Sequence, residues 1–117
     1  MTTAPRIYKL DRLNEIDNSD ELFILSIVQV FLENAPITTN NLVLALNDNN
    51  LEMIYFWAHK LKSNINLFCI ESIMTEIKNL EQFAKTNTNT DQIPGLVKLV
   101  NEVMQQAITE IKTDFKL

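Results

Sequence analysis

Apolar residues recur along this chain at intervals of three and four, the period of a helix that buries one side. Ile7, Leu10, Leu13 and Ile16 predict a short amphipathic helix after a loose start over Met1 to Pro5. Asp17-Asn18-Ser19 breaks that helix, and Asn18 or Ser19 is placed to cap the next, with Asp20 and Glu21 in its first turn where the helix dipole favours negative charge. The second helix is predicted to run to about Asn34. Between Leu22 and Leu32 its apolar residues cover more than one face, so it is either deeply buried or offers apolar surface to a partner. Ala35-Pro36 predicts its end and the start of a third helix over 36–47, because a residue before proline avoids the helical region. Asn47 to Asn50 reads as a turn, with Asn49 as cap and Glu52 in capping-box register for a fourth helix over 51–67. A break near Phe68-Cys69 leads to a fifth helix over 70–85, striped by Ile70, Ile73, Met74, Ile77, Leu80 and Ala84. After a loop over Thr86 to Asp91, a last helix over 92–115 shows the clearest period, through Ile93, Leu96, Val97, Val100, Val103, Met104, Ala107, Ile108, Ile111 and Phe115.

The last four of these helices are joined by a few residues each, which forces antiparallel neighbours. The expected fold is therefore all-α: an antiparallel up-down four-helix bundle with additional N-terminal helices, in a single domain over 1–117. Composition agrees, since 117 residues suffice for one core, and one Gly with three Pro leaves little turn chemistry for hairpins or for a glycine-rich phosphate loop. A net charge of -5 and a pI near 4.8 argue against a nucleic-acid binder, whose phosphate contacts need a basic face, and disfavour anionic membranes. The longest apolar run is about eleven residues, short of the roughly 20 that span a bilayer. With a lone cysteine, Cys69, and no signal-like segment at the N-terminus, a cytoplasmic protein is expected.

The candidate chemistry lies on the helix over 51–67. On a helical wheel Ile54, Trp57, Ala58, Leu61, Ile65 and Phe68 form its core seam, while Tyr55, His59, Lys62, Ser63 and Asn66 fall on the other side. The chain's single histidine thus projects from mid-helix with Lys62 at i+3 and Ser63 at i+4. Between Met53 and Ile70 only Glu-free sequence surrounds Lys60 and Lys62, a locally positive patch on an acidic chain. A neutral imidazole is a nucleophile toward phosphorus, a lysine one turn away can offset phosphoryl charge, and a small residue at 63 leaves room for a partner's active site. A metal site is not expected, because one His and one Cys supply too few ligands.

The segment Ala58-His59-Lys60-Leu61-Lys62-Ser63-Asn64-Ile65 resembles the A-H-x-L-K-G-S signature of histidine-containing phosphotransfer (HPt) domains. The resemblance extends over Tyr8 to Ile16, Phe31-Leu32-Glu33-Asn34-Ala35-Pro36 and Leu80-Glu81. It implies that His59 is the phosphoacceptor, that Lys62 stabilises the phosphoryl group, and that Glu81 orients the imidazole. Two positions depart from the pattern, Ser63 and Cys69, where the family usually has Gly. Ser63 is still small; Cys69 falls where Gly would cap the helix end.

The resemblance further implies a stoichiometric carrier, not an enzyme: His59 takes a phosphoryl group from a receiver-domain aspartyl phosphate and passes it to another receiver. The expected partners are response-regulator receiver domains, of a hybrid sensor kinase and of a downstream regulator, docking on Tyr55, Phe56, Lys60, Ser63 and Asn66 together with outward apolar residues of the N-terminal helices. No cofactor of its own is expected, Mg2+ being supplied by the receiver, and the chain is expected to be a monomer. The rival expectation is a helical interaction module that holds a partner through its second helix and is never phosphorylated.

Overall fold

The computed structural model describes residues 6–17 and 20–117, without the side chains of Ile16 and Asp17. Five α-helices follow one another: α1 (Asp11–Asp17), α2 (Glu21–Asn47), α3 (Leu51–Leu67), α4 (Met74–Thr86) and α5 (Ile93–Asp114), with short 3-10 turns at Glu71–Ile73 and Thr90–Gln92. The described residues are otherwise turn and coil, so the protein is all-α. α2 packs against α3 and α5, α3 against α4, and α4 against α5, around a core that includes Phe31, Leu42, Ile54, Leu61, Phe68, Leu80 and Met104.

The largest correction concerns Pro36. The expected helices to Asn34 and over 36–47 are one continuous helix, α2, with Pro36 inside it. Its buried residues Ile24, Val28, Phe31, Ala35, Thr38, Leu42 and Ala45 step by four and three without interruption. That unbroken stripe is what carries the helix past the proline, since ending it would pull half the stripe out of the core. Pro36 lies on the exposed side, where the Leu32 carbonyl that its missing N–H leaves free can be hydrated. On the buried side Thr38 and Thr39 return their hydroxyls to the Asn34 and Pro36 carbonyls, at 3.1 and 3.0 Å, so no polar group is stranded. At 1.5 Å per residue the 27-residue helix is about 40 Å long and sets the long dimension of the molecule, 42 Å. It is long and apolar enough to cross a membrane by length and composition, which the eleven-residue run did not foretell.

Smaller corrections sit at the helix ends. Ile7 and Leu10 precede α1, which starts at Asp11. Residues 6–9 instead form an extended strap: Arg6 pairs with Asp114 at 2.7 Å, the Ile7 N–H donates to Glu110, the Tyr8 hydroxyl to Asp114, and the Lys9 N–H to the Phe68 carbonyl at 2.8 Å. Burial, then the Asp114 carboxylate, push the Tyr8 phenol well above its usual range. The Asn18 or Ser19 cap falls outside the described residues; Asp20 caps α2, its carboxylate accepting from the N–H groups of Leu22 and Phe23. Asn50, not Asn49, caps α3, accepting from Met53 N–H at 3.1 Å, which removes Glu52 from capping-box register. Asn49 takes φ 53° and closes α2 instead. The helix expected over 70–85 opens with the turn Glu71–Ile73, and the loop after Thr86 contains the turn Thr90–Gln92. Trp57 leaves the expected seam: it is half-buried, edge-on to Phe56 with ring centroids 4.8 Å apart.

One Gly in 117 residues has a visible consequence, because left-handed positions that glycine would take are filled by Asn49, Cys69, Asn87, Asn89 and Lys116. Cys69 is the informative one. It closes α3 at φ 50°, with Cys69 N–H on the Asn66 carbonyl at 3.3 Å and Ile70 N–H on the Ile65 carbonyl at 2.9 Å, the paired bonds of a Schellman cap. An L side chain there costs roughly 1–2 kcal/mol. Cys69→Gly is therefore expected to stabilise the fold by about 1 kcal/mol, read in urea unfolding as a higher midpoint at unchanged slope.

Candidate functional site

α3 is held on two sides. Ile54, Ala58, Leu61 and Ile65 bury one stripe, and Phe68 at its end stacks on Phe31 of α2 with ring centroids 4.4 Å apart. The register this fixes turns His59 and Lys62 toward α4 and leaves Phe56, Lys60 and Ser63 facing outward. The His59 side chain is 58% exposed.

The residue that meets them is Glu81, on α4. Its carboxylate is nearly buried, at 13% exposure, and touches two basic side chains of α3: Oε1 lies 3.0 Å from His59 Nδ1, and Oε2 lies 2.8 Å from Lys62 Nζ. The Lys62 contact is an ion pair poorly aligned for a hydrogen bond. Burial by itself would push the Glu81 carboxyl up, but Lys62 and His59 together outweigh it and hold the group below the ordinary carboxylate range. Glu81 is thus ionised at neutral pH and can only accept, so the ring nitrogen facing it must donate. The His59 proton sits on Nδ1, and the lone pair is left on Nε2.

Glu81 also accounts for the positive patch. α3 has no acidic residue near Lys62 because its counter-charge arrives from the neighbouring helix, and no spacing within α3 could have announced it. The other expected site residues divide. Phe56, Lys60 and Ser63 are exposed; Tyr55 and Asn66 are half-buried. The Tyr55 ring lies 5.9 Å from that of His59, tilted by 35°, and walls the imidazole on one side. Lys60 is not free charge: its ammonium rests over Phe56 and Trp57, 4.8 and 5.1 Å from their ring centres. That aromatic seat is a feature the wheel did not reveal. Among the described residues no three His, Cys, Asp or Glu side chains converge on a common point. Comparison with protein-family models, with curated proteins and with solved structures returns no match to this chain.

The depressed Glu81 group stabilises the fold above the pKa it has when unfolded, and that contribution is lost as pH falls through its lower folded value, so the α3–α4 contact weakens only under acid. At neutral pH the arrangement fixes the ring tautomer. Glu81→Ala is expected to shift His59 from the Nδ1–H form toward the Nε2–H form, seen as an exchange of the two ring 15N chemical shifts with far-UV circular dichroism unchanged.

Proposed function

We propose that this chain is a phosphoryl carrier of the HPt type, a phosphorelay intermediate in which His59 reversibly takes a phosphoryl group from the aspartyl phosphate of a response-regulator receiver domain. The observation that carries this reading is the Glu81 carboxylate shared between His59 Nδ1 and Lys62 Nζ beneath an exposed imidazole. The ring of α2, α3, α4 and α5, joined at α2–α3 by three residues, supports the antiparallel up-down four-helix bundle that such a carrier uses.

In the step we propose, the Nε2 lone pair attacks phosphorus, the bond from phosphorus to the receiver's aspartyl oxygen breaks, and the aspartate leaves as carboxylate. Because Nδ1 keeps its proton, the phosphorylated ring becomes cationic. Glu81 is already ionised against it, so the charge develops beside a fixed counter-ion and no proton needs to move. Lys62 leans from Glu81 toward the phosphoryl oxygens, one helical turn from the ring. The reverse reaction returns the phosphoryl group to a second receiver, and the Mg2+ that the aspartyl chemistry needs belongs to the receiver. Phe56, Lys60 and Ser63 on the outward face of α3, with Tyr55 and Asn66 at its edge, form the docking surface in this reading. The cation seated over Phe56 and Trp57 gives that surface an apolar floor with one positive charge, suited to the acidic rim of a receiver's pocket.

Incubation with receiver domains of the same organism, charged with labelled aspartyl phosphate, is expected to give acid-labile, base-stable label on the wild type and none on His59→Gln. Label retained by His59→Gln would refute the assignment. Ser63→Arg is expected to fold normally, with stability within about 0.5 kcal/mol of wild type, and to lose both receiver binding and transfer. Equal transfer in that variant would move the docking surface elsewhere.

A further inference from the structure

Val30, Ile37 and Leu44 stand seven residues apart on α2, and they are 55%, 59% and 50% exposed. A spacing of seven keeps them in line along one edge of the helix, separate from the stripe that enters the core. In heptad terms they occupy d positions, and Ile27, Asn34 and Asn41 occupy the matching a positions. The edge borders two hollows against α3. Ile27, Val30 and Asn34 line one of about 170 Å³ with Asn64 and Leu67. Asn41 and Leu44 line another, of about 230 Å³, with Met53 and Trp57. From Asn34 to Asn47 the chain carries no charged residue, although its net charge is -5. A helix face meant for water is normally charged.

We propose that this edge is a homodimer contact, in which α2 of a second copy lies alongside in parallel register about a two-fold axis running along the helix. The asparagines single out the occupant. In a parallel, in-register pair each a residue meets its own copy, so Asn34 meets Asn34 and Asn41 meets Asn41, and each side-chain amide both donates and accepts across the axis. An antiparallel copy would set these asparagines against the apolar d residues and strand their amides. An unrelated helix would need asparagine at both levels. Ile27 to Leu44 spans about 26 Å of helix. With the α3 side chains flanking the groove, the paired surface is on the order of the 1,200 Å² that a stable interface needs. This replaces the monomer expected from sequence and does not depend on phosphoryl transfer, because His59 and Lys62 lean toward α4, on the other flank of α3.

Sedimentation equilibrium of the full chain is expected to give a dimer at micromolar concentrations. Ile37→Glu combined with Leu44→Glu, both at exposed positions, is expected to give a monomer with unchanged helicity. Register is read separately: Ile37→Cys in a Cys69→Gly background is expected to form a disulfide-linked dimer on mild oxidation, since parallel d residues face each other. A wild type that stays monomeric at high concentration overturns the proposal and assigns the edge to a different protein. A dimer that survives the double Glu change, or one that Ile37→Cys does not cross-link, overturns it equally.

Discussion

A carboxylate taken out of water must find positive charge or give up its own. Glu81 meets that condition by drawing His59 and Lys62 to one point on α4, and the candidate site follows from it. The tautomer of the only histidine and the resting position of the nearest lysine are consequences of one nearly buried group. Neither His59 nor Lys62 is itself buried, so the site combines an ordered floor with an open top.

That floor depends on α3 keeping its register, and its two ends are held differently. At the start Asn49 closes α2 while Asn50 caps α3, so a three-residue connection satisfies both helix ends. At the far end Cys69 closes the helix in a backbone conformation costly for a side chain, and the strap over residues 6–9 takes up the Phe68 carbonyl. Phe68 against Phe31 then ties this end to the middle of α2.

α2 serves two surfaces at once. Its core stripe and the outer line of Val30, Ile37 and Leu44 both repeat every seven residues but lie at different angles around the helix axis, so the two coexist along its length. This is why a segment so rich in Leu, Ile, Val and Phe is neither wholly buried nor an ordinary solvated face.

Helical periodicity alone determined most of the architecture: α3 lies over the predicted residues, the break at Phe68-Cys69 stands, and α5 lies within a residue of its predicted ends. It also placed His59, Lys62 and Ser63 on the polar side of α3, since a wheel needs only the local backbone. Local signals misled where a longer-range term outweighed them. Pro36 is a helix breaker by its own chemistry, yet a core stripe on both sides of it held α2 straight through. Trp57 has the spacing of the seam but sits at its edge, where Lys60 and Phe56 cover it. The resemblance named Glu81 as the group beside the His59 ring, but tertiary structure alone decided that the same carboxylate also meets Lys62. The sequence separates Glu81 from His59 and Lys62 by 22 and 19 residues, and only the packing of α4 on α3 brings it to both.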